Sequence, residues 1–234
     1  MNRVEKFRSE INERSLIATT INDHLIALFN ETLSINPQTI VELGVEFGET
    51  TFVLERVARL TGAKLVSVDI QDCSRVSTYD RWLFVQQDDI QFAREFVNWS
   101  HLNNVKTAID ILMIDSSHLY EHTCQEIQAW FPFLAPKAKV FFHDTNINET
   151  VFRRNGSSFG GWNNERGVIR ALETHFNQSF NETQDFTESI NGWWIKHDHN
   201  CGGFTILERG IMLKCENTFV TWSRYLPRLF RAMV

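Results

Sequence analysis

Asp115-Ser-Ser-His118 sets a carboxylate and an imidazole three residues apart, directly after the apolar run Ile111-Leu-Met-Ile114. An imidazole titrates near neutral pH and suits removal of a proton from a hydroxyl. A second carboxylate, Asp144, follows Val140-Phe-Phe-His143. Together Asp115 and Asp144 can hold a hard divalent cation, which prefers oxygen ligands and lowers the pKa of a bound hydroxyl. Read structurally, His118 is a first-turn residue bonding a carboxylate, with no catalysis. His122, one helical turn on, reads as structural.

A different chemistry is written upstream. In Glu42-Leu-Gly44-Val45-Glu-Phe-Gly48-Glu-Thr50, two glycines allow a backbone turn to approach a ligand closely. Asp69 ends the next apolar run, Lys64-Leu-Val-Ser-Val68, and is followed by Ile70. An acid at that strand tip can accept bonds from both hydroxyls of a ribose. The pair points to a nucleoside. It does not point to phosphate, because the turn lacks both G-x-G-x-x-G and a G-K-[ST] ending. Asp88 and Asp89, after Phe84-Val-Gln-Gln87, can bond an adenine amino group or cap the following helix. One acid after a buried strand is often only a cap. Glu42, Asp69, Asp115 and Asp144 at four strand ends argue for a shared site.

Those residues need a scaffold that brings strand ends together. Strands are predicted near 39–43, 64–68, 82–86, 110–114 and 138–143, and helices near 49–61, 90–99 and 119–131. Strands alternating with helices imply an α/β, doubly wound, Rossmann-like and mostly parallel sheet, expected to have seven strands. Ligands of such sheets bind beyond the carboxyl ends of the strands. Residues 3–34 show helical spacing (Ile11, Leu25, Leu28, Phe29) and read as one or two amphipathic helices, closed by Asn36-Pro37. The expected division is a helical extension over 1–36, a binding domain over 37–210 and an aromatic, Arg-rich tail over 211–234. Gly, Asn and Ser dominate 155–164, which suggests a lid or an ordered binding loop. Gly167 to Phe176 is helical, and 190–197 with 203–208 read as a closing pair of strands.

Composition narrows the function classes. The chain has 234 residues and a net charge of −6, which argues against nucleic acid as a partner. No apolar run is long enough for a membrane span, and the charged first residues lack the apolar core of a signal peptide. Cys73, Cys124, Cys201 and Cys215 are scattered, so free thiols and a cytoplasmic location are expected. Arg153, Arg154, Arg166 and Arg170 read either as a solvated face or as a hint of an anionic acceptor.

Glu42-x-Gly44-x-x-x-Gly48-x-Thr50, Asp69, Gln87-Asp88 and Asp115 together resemble class I S-adenosylmethionine-dependent methyltransferases over residues 38–209. More narrowly, Ile114-Asp-Ser-Ser-His-Leu-Tyr120 with Phe142-His-Asp-Thr145 is similar to cephalosporin-hydroxylase-like proteins and macrolide sugar O-methyltransferases. The resemblance implies S-adenosylmethionine as cofactor, His118 as base, and Mg²⁺ held by Asp115 and by an acidic pair at the fifth strand's end. Here that pair is His143-Asp144, so the candidate ligands are Asp115, Asp144 and His143, and imidazole is the poorer magnesium ligand.

The expected reaction is O-methylation of a hydroxyl on a small molecule such as a sugar or natural product. Glu42, Gly44, Val45, Gly48 and Thr50 are expected to shape the cofactor site with Asp69, Ile70, Asp88, Asp89 and Asp115. Asp115, His118 and Asp144 should face the acceptor. Residues 146–166 should cover it, with Phe159 and Trp162 as apolar contacts. Two other readings share this sheet. A nicotinamide-dependent oxidoreductase would need a third glycine for its pyrophosphate. A non-catalytic binding module could form homo-oligomers through its N-terminal helices.

Overall fold

The computed structural model describes residues 2–210; the expected tail over 211–234, with Cys215, lies outside the described residues. Two helices, α1 (Arg3–Ser15) and α2 (Leu25–Ser34), precede β1 (Thr39–Leu43), α3 (Glu49–Thr61), β2 (Lys64–Asp69) and β3 (Trp82–Gln86). Then come α4 (Asp89–Leu102), β4 (Ile109–Ile114), α5 (Tyr120–Trp130) and β5 (Leu134–His143). A short hairpin, β6 (Thr150–Phe152) and β7 (Ser158–Gly160), leads to α6 (Gly167–Phe176). The chain closes with β8 (Phe186–Ile190), β9 (Trp193–Asp198) and β10 (Phe204–Arg209).

The sheet runs β3-β2-β1-β4-β5-β10-β9-β8. Its first five strands pair in parallel, and β10, β9 and β8 are antiparallel. The strand order reverses at β1 and β4, so the ligand crevice belongs at their carboxyl ends. The sheet has eight strands, one more than expected. β8 reads Phe-Thr-Glu-Ser-Ile and lies mostly exposed at the edge, where no apolar period marks it. Asn191-Gly192, both at positive φ, turns the chain from β8 into β9. An Asn-Gly pair of this kind signals a two-residue hairpin, and the expected strand at 190–197 runs across it.

Period-two alternation buries both faces of the sheet. Val41, Leu43, Leu112 and Ile114 point into one apolar core with Phe92, Phe96 and Trp130. Ile40, Ile111 and Met113 point into the other, with Val53, Leu54 and Val57 of α3. Phe7, Ile11, Leu25, Leu28 and Phe29 join that second core. The N-terminal helices therefore spend their apolar stripes covering one face of the sheet. Leu16 and Ile17, between them, stay exposed. Among the described residues, no helix is long and apolar enough to cross a membrane.

Glu42 sits on the α3 side of this sheet, because it alternates with Val41 and Leu43. It is fully buried and accepts hydrogen bonds from Thr50 Oγ1 (2.6 Å), Thr51 Oγ1 (2.8 Å) and Ser67 Oγ. It does not line the ligand cavity described below, contrary to the sequence expectation. Its carboxyl instead ties the first turn of α3 to β1 and β2. Burial raises its pKa to about 7, against the three hydroxyls, which pull it down. A carboxyl with a raised folded-state pKa stabilises the fold most below its unfolded value, and that gain is lost as pH rises through the folded value. The pH range for Glu42 is thus about 4.5 to 7, and the effect is on the order of 3 kcal/mol. Thermal melts across this range should show a falling melting temperature, and Glu42→Gln should flatten that slope. An unchanged slope in the variant would exclude Glu42 as its source.

Candidate functional site

A cavity of about 620 Å³ opens at the carboxyl ends of β1, β2, β4 and β5. One end is formed by the glycine turn and β2. Gly44 has φ +87°, and a Cβ there would stand 2.0 Å from the Asp115 carbonyl oxygen. Only glycine lets the β1 turn lie against the β4 loop. Asp69 braces the same turn: its Oδ2 accepts from Val45 N (2.8 Å) and Glu46 N (3.1 Å), and its Oδ1 from Gln71 N (2.8 Å). Each oxygen keeps further acceptor capacity toward the cavity. Ile70 is 70% exposed beside it and offers a flat apolar contact.

Val45, Thr50, Asp88 and Asp89 also line the cavity. Gly48 does not. With φ +78° it begins α3, and a Cβ there would meet Val76 Cγ1 at 2.2 Å, so its constraint is packing of the turn. Asp88 caps α4 through Gln91 N (2.9 Å). Asp89 holds His122 Nε2 at 3.0 Å, with the buried Glu126 alongside. This hydrogen bond raises the His122 pKa above its ordinary value, and burial pushes Glu126 well above the carboxylate range. His122, read from sequence as structural, thus stands on the cavity wall.

The other end gathers Asp115, His118, His143 and Asp144. His118 Nε2 lies 3.1 Å from Asp115 Oδ1, and its Nδ1 lies 3.2 Å from Asp144 Oδ2. His143 Nδ1 lies 3.0 Å from the same Asp115 oxygen and 3.4 Å from Asp144 Oδ1. Burial favours neutral forms here, but charge pairing overrides it. The two aspartates raise His143 to about 9, and the two imidazoles hold Asp115 well below the usual carboxylate range. Asp115, His118 and His143 each bring one possible ligand atom within 4.8 Å of one another.

The supports of this cluster come from distant segments, and several escape sequence reasoning. Thr20, between α1 and α2, accepts from His143 Nε2 through its carbonyl (3.2 Å), and Thr20 and Ile21 line the cavity. Asn164 is buried, and its Nδ2 donates to the carbonyls of Asp144 (3.2 Å) and His118 (3.4 Å). Ser116 Oγ donates to Glu126 (2.6 Å). Asn164 had only its place in a polar run to mark it. The 146–166 segment supplies Ile147, Phe159 and Trp162 to the cavity, and the Trp162 ring lies 6.4 Å from His118. It is not a plain loop: β6 and β7 brace it, and Arg153 reaches Thr19 O (3.1 Å) while stacking on Phe159.

None of Arg153, Arg154, Arg166 or Arg170 lines the cavity. Arg154 pairs with Asp198, Arg166 pairs with Glu173 and Glu182, and Arg170 stacks on Tyr120. The arginines are spent on the fold.

Residues 41–145 match the model of a family described as a methyltransferase domain, which bears out the class I methyltransferase reading. A curated relative, an uncharacterized protein of Sinorhizobium fredii (y4gI), is 25% identical over 136 residues. That match spans 51% of this chain but only 14% of the relative. MycE, a methyltransferase of mycinamycin biosynthesis solved with Mg and S-adenosylhomocysteine, superposes with a TM-score of 0.56 and 16% identity. That likeness covers 87% of this chain and 54% of MycE, so the chain spans about half its length. The O-methyltransferase of Bacillus cereus, solved with S-adenosylhomocysteine, gives a TM-score of 0.55 at 12% identity, covering 87% and 90% of the two chains. These likenesses show the fold.

Gly44→Ala should be costly. It combines a positive φ with the clash on the Asp115 carbonyl, and strain of this kind costs about 1–3 kcal/mol before any displacement of Asp115. Chemical denaturation should show that loss. A variant as stable as the parent would mean the turn does not press on β4.

Proposed function

We propose that this chain transfers a methyl group from S-adenosylmethionine to a hydroxyl of a small-molecule acceptor. The observation that carries the reading is His118, held between Asp115 and Asp144 at one end of a cavity whose other end presents Asp69, Ile70 and Asp88. The cofactor's ribose hydroxyls would bond Asp69, its adenine would lie along Ile70, and its amino group would reach Asp88 or Asp89. Seven acidic residues and no Lys or Arg line the cavity, which favours a sulfonium cation over a phosphate.

The acceptor would enter beneath Phe159 and Trp162. Its oxygen attacks the methyl carbon in line; the O–C bond forms as the C–S bond breaks, giving a methyl ether and S-adenosylhomocysteine. The hydroxyl proton passes to His118. Both of its nitrogens face carboxylates, so the hydroxyl takes the place of one of these contacts, and the remaining aspartate steadies the imidazolium that forms. The sulfonium is already activated, so the protein's main contributions are alignment and proton removal. Asp115, Asp144 and His143 would hold a divalent ion, which when bound lowers the pKa of a nearby hydroxyl.

Calorimetric titration with S-adenosylhomocysteine tests the first step. Binding is expected, with Asp69→Ala weakening it by about 1.5–3 kcal/mol per lost charged bond. Heat with NAD and none with S-adenosylhomocysteine would replace this reading by an oxidoreductase. His118→Ala should keep cofactor affinity and lower kcat by roughly 10²–10⁴, the usual worth of a general base. A variant that loses melting temperature but keeps its rate per folded molecule would make His118 structural.

A further inference from the structure

Beside Asp88, the cavity wall carries a second group of donors, made by two helices. Asp89 stands in the first turn of α4. His122 and Glu126 stand four residues apart on α5, so imidazole and carboxyl share one helix face. One possible ligand atom from each of the three lies within 4.8 Å of the others. Glu126 is 0% exposed and Asp89 7%. Among the described residues, Glu126 Oε2 and Asp89 Oδ1 are buried with no hydrogen-bond partner. Asp89 Oδ1 lies 3.0 Å from His122 Nε2, but that nitrogen bonds the other oxygen, Oδ2, at 3.2 Å.

Buried carboxylate oxygens without a partner are costly, and buried charges are met by a counter-charge or a metal. Burial pushes Glu126 well above the carboxylate range, and a proton there meets one of the two oxygens. A dication meets both oxygens and the imidazole nitrogen at once, and two carboxylates with a neutral imidazole balance its charge. Ser116 Oγ donates to Glu126 Oε1 at 2.6 Å and fixes the carboxyl, as the partners behind metal ligands do. Asp89 and His122 line the cavity and Glu126 does not, so the group opens to the cavity on one side. Three protein ligands with a fourth position open suit zinc, and the nitrogen in the set counts against magnesium.

We propose that Asp89, His122 and Glu126 bind a zinc ion through two carboxylates and one imidazole, with Ser116 holding Glu126 in place and a fourth position facing the cavity. The group shares no residue with Asp115, His118 and His143. The assignment does not rest on the methyltransferase reading; within that reading it leaves Asp88 as the contact for the adenine amino group.

The test uses the full chain, stripped with a chelator and titrated by calorimetry with Zn²⁺ and separately with Mg²⁺, with S-adenosylhomocysteine binding measured in parallel. Zn²⁺ should bind more tightly than Mg²⁺, in an event that His122→Ala and Glu126→Gln each weaken by more than about 100-fold, beyond what the outer partners of a metal are worth. The same event should persist in His118→Ala, which removes a donor from the other group. Anomalous scattering at the zinc edge from crystals of the parent needs no variant to fold: it should place an ion among Asp89, His122 and Glu126. No bound zinc, equal or tighter Mg²⁺ binding, zinc binding untouched by Glu126→Gln, loss of the event in His118→Ala, or an ion found only among Asp115, His118 and His143 would each overturn the assignment, leaving a proton on Glu126 in its place. Zinc among the three residues with no S-adenosylhomocysteine binding would support the assignment and sink the methyl-transfer reading alone.

Discussion

One carboxylate oxygen organises one end of the cavity. Asp115 Oδ1 accepts from His118 and from His143, and Asp144 closes the ring by facing both imidazoles. Two negative and two basic groups are thereby packed into a largely buried space, where each would be costly alone. The arrangement survives because each charge has its counter-charge within hydrogen-bonding distance. The glycine turn leans on the backbone of Asp115, and Asn164 grips the carbonyls beneath His118 and Asp144. Displacing Asp115 would therefore disturb the glycine turn and the His118–His143–Asp144 cluster together.

The local backbone adds to this constraint. Glu46, His118 and Asp144 all adopt positive φ (46°, 57° and 54°), although none is glycine. Such conformations persist only where the surroundings enforce them. For His118 the enforcement is visible: its carbonyl is held by Asn164 and closely overlain by Gly167. The strain aims the imidazole back over the strand end from which it has just departed.

Much of the scaffold could be read in the sequence because it rests on local pattern. Runs such as Ile111–Ile114 declare buried parallel strands, and the two glycines declare the turn after β1, whereas the bracing of that turn by Asp69 emerged only in the structure. Asp115, His118 and Asp144 converge as their strand-end positions require. The errors have physical causes. Glu42 lies two residues before the turn, on the face that packs under α3, and strand alternation carries it away from the cavity. Gly48 lies off the cavity, and its positive φ with the close approach of Val76 accounts for a glycine there by packing of the turn. Thr20 and Asn164 act through a backbone carbonyl and a side-chain amide at long range, and no spacing rule marks such contacts. Exposed β8 lacked an apolar period, although Asn191-Gly192 marked the turn beside it.

The Thr20 contact also bears on how the protein is made. His143 waits on a carbonyl 123 residues earlier, and His24 nearby bonds the carbonyl of Asn200, 176 residues later. Gly202 accepts from the Asn146 amide through its own carbonyl, just after the same strand end. Contacts of such long sequence separation form late, because loop closure must precede them. The first helices leave the ribosome long before the strands they cover. The cluster of Asp115, His118, His143 and Asp144 is thus among the last features the growing chain completes, and a partly folded molecule forms the local β1 turn before it forms that cluster.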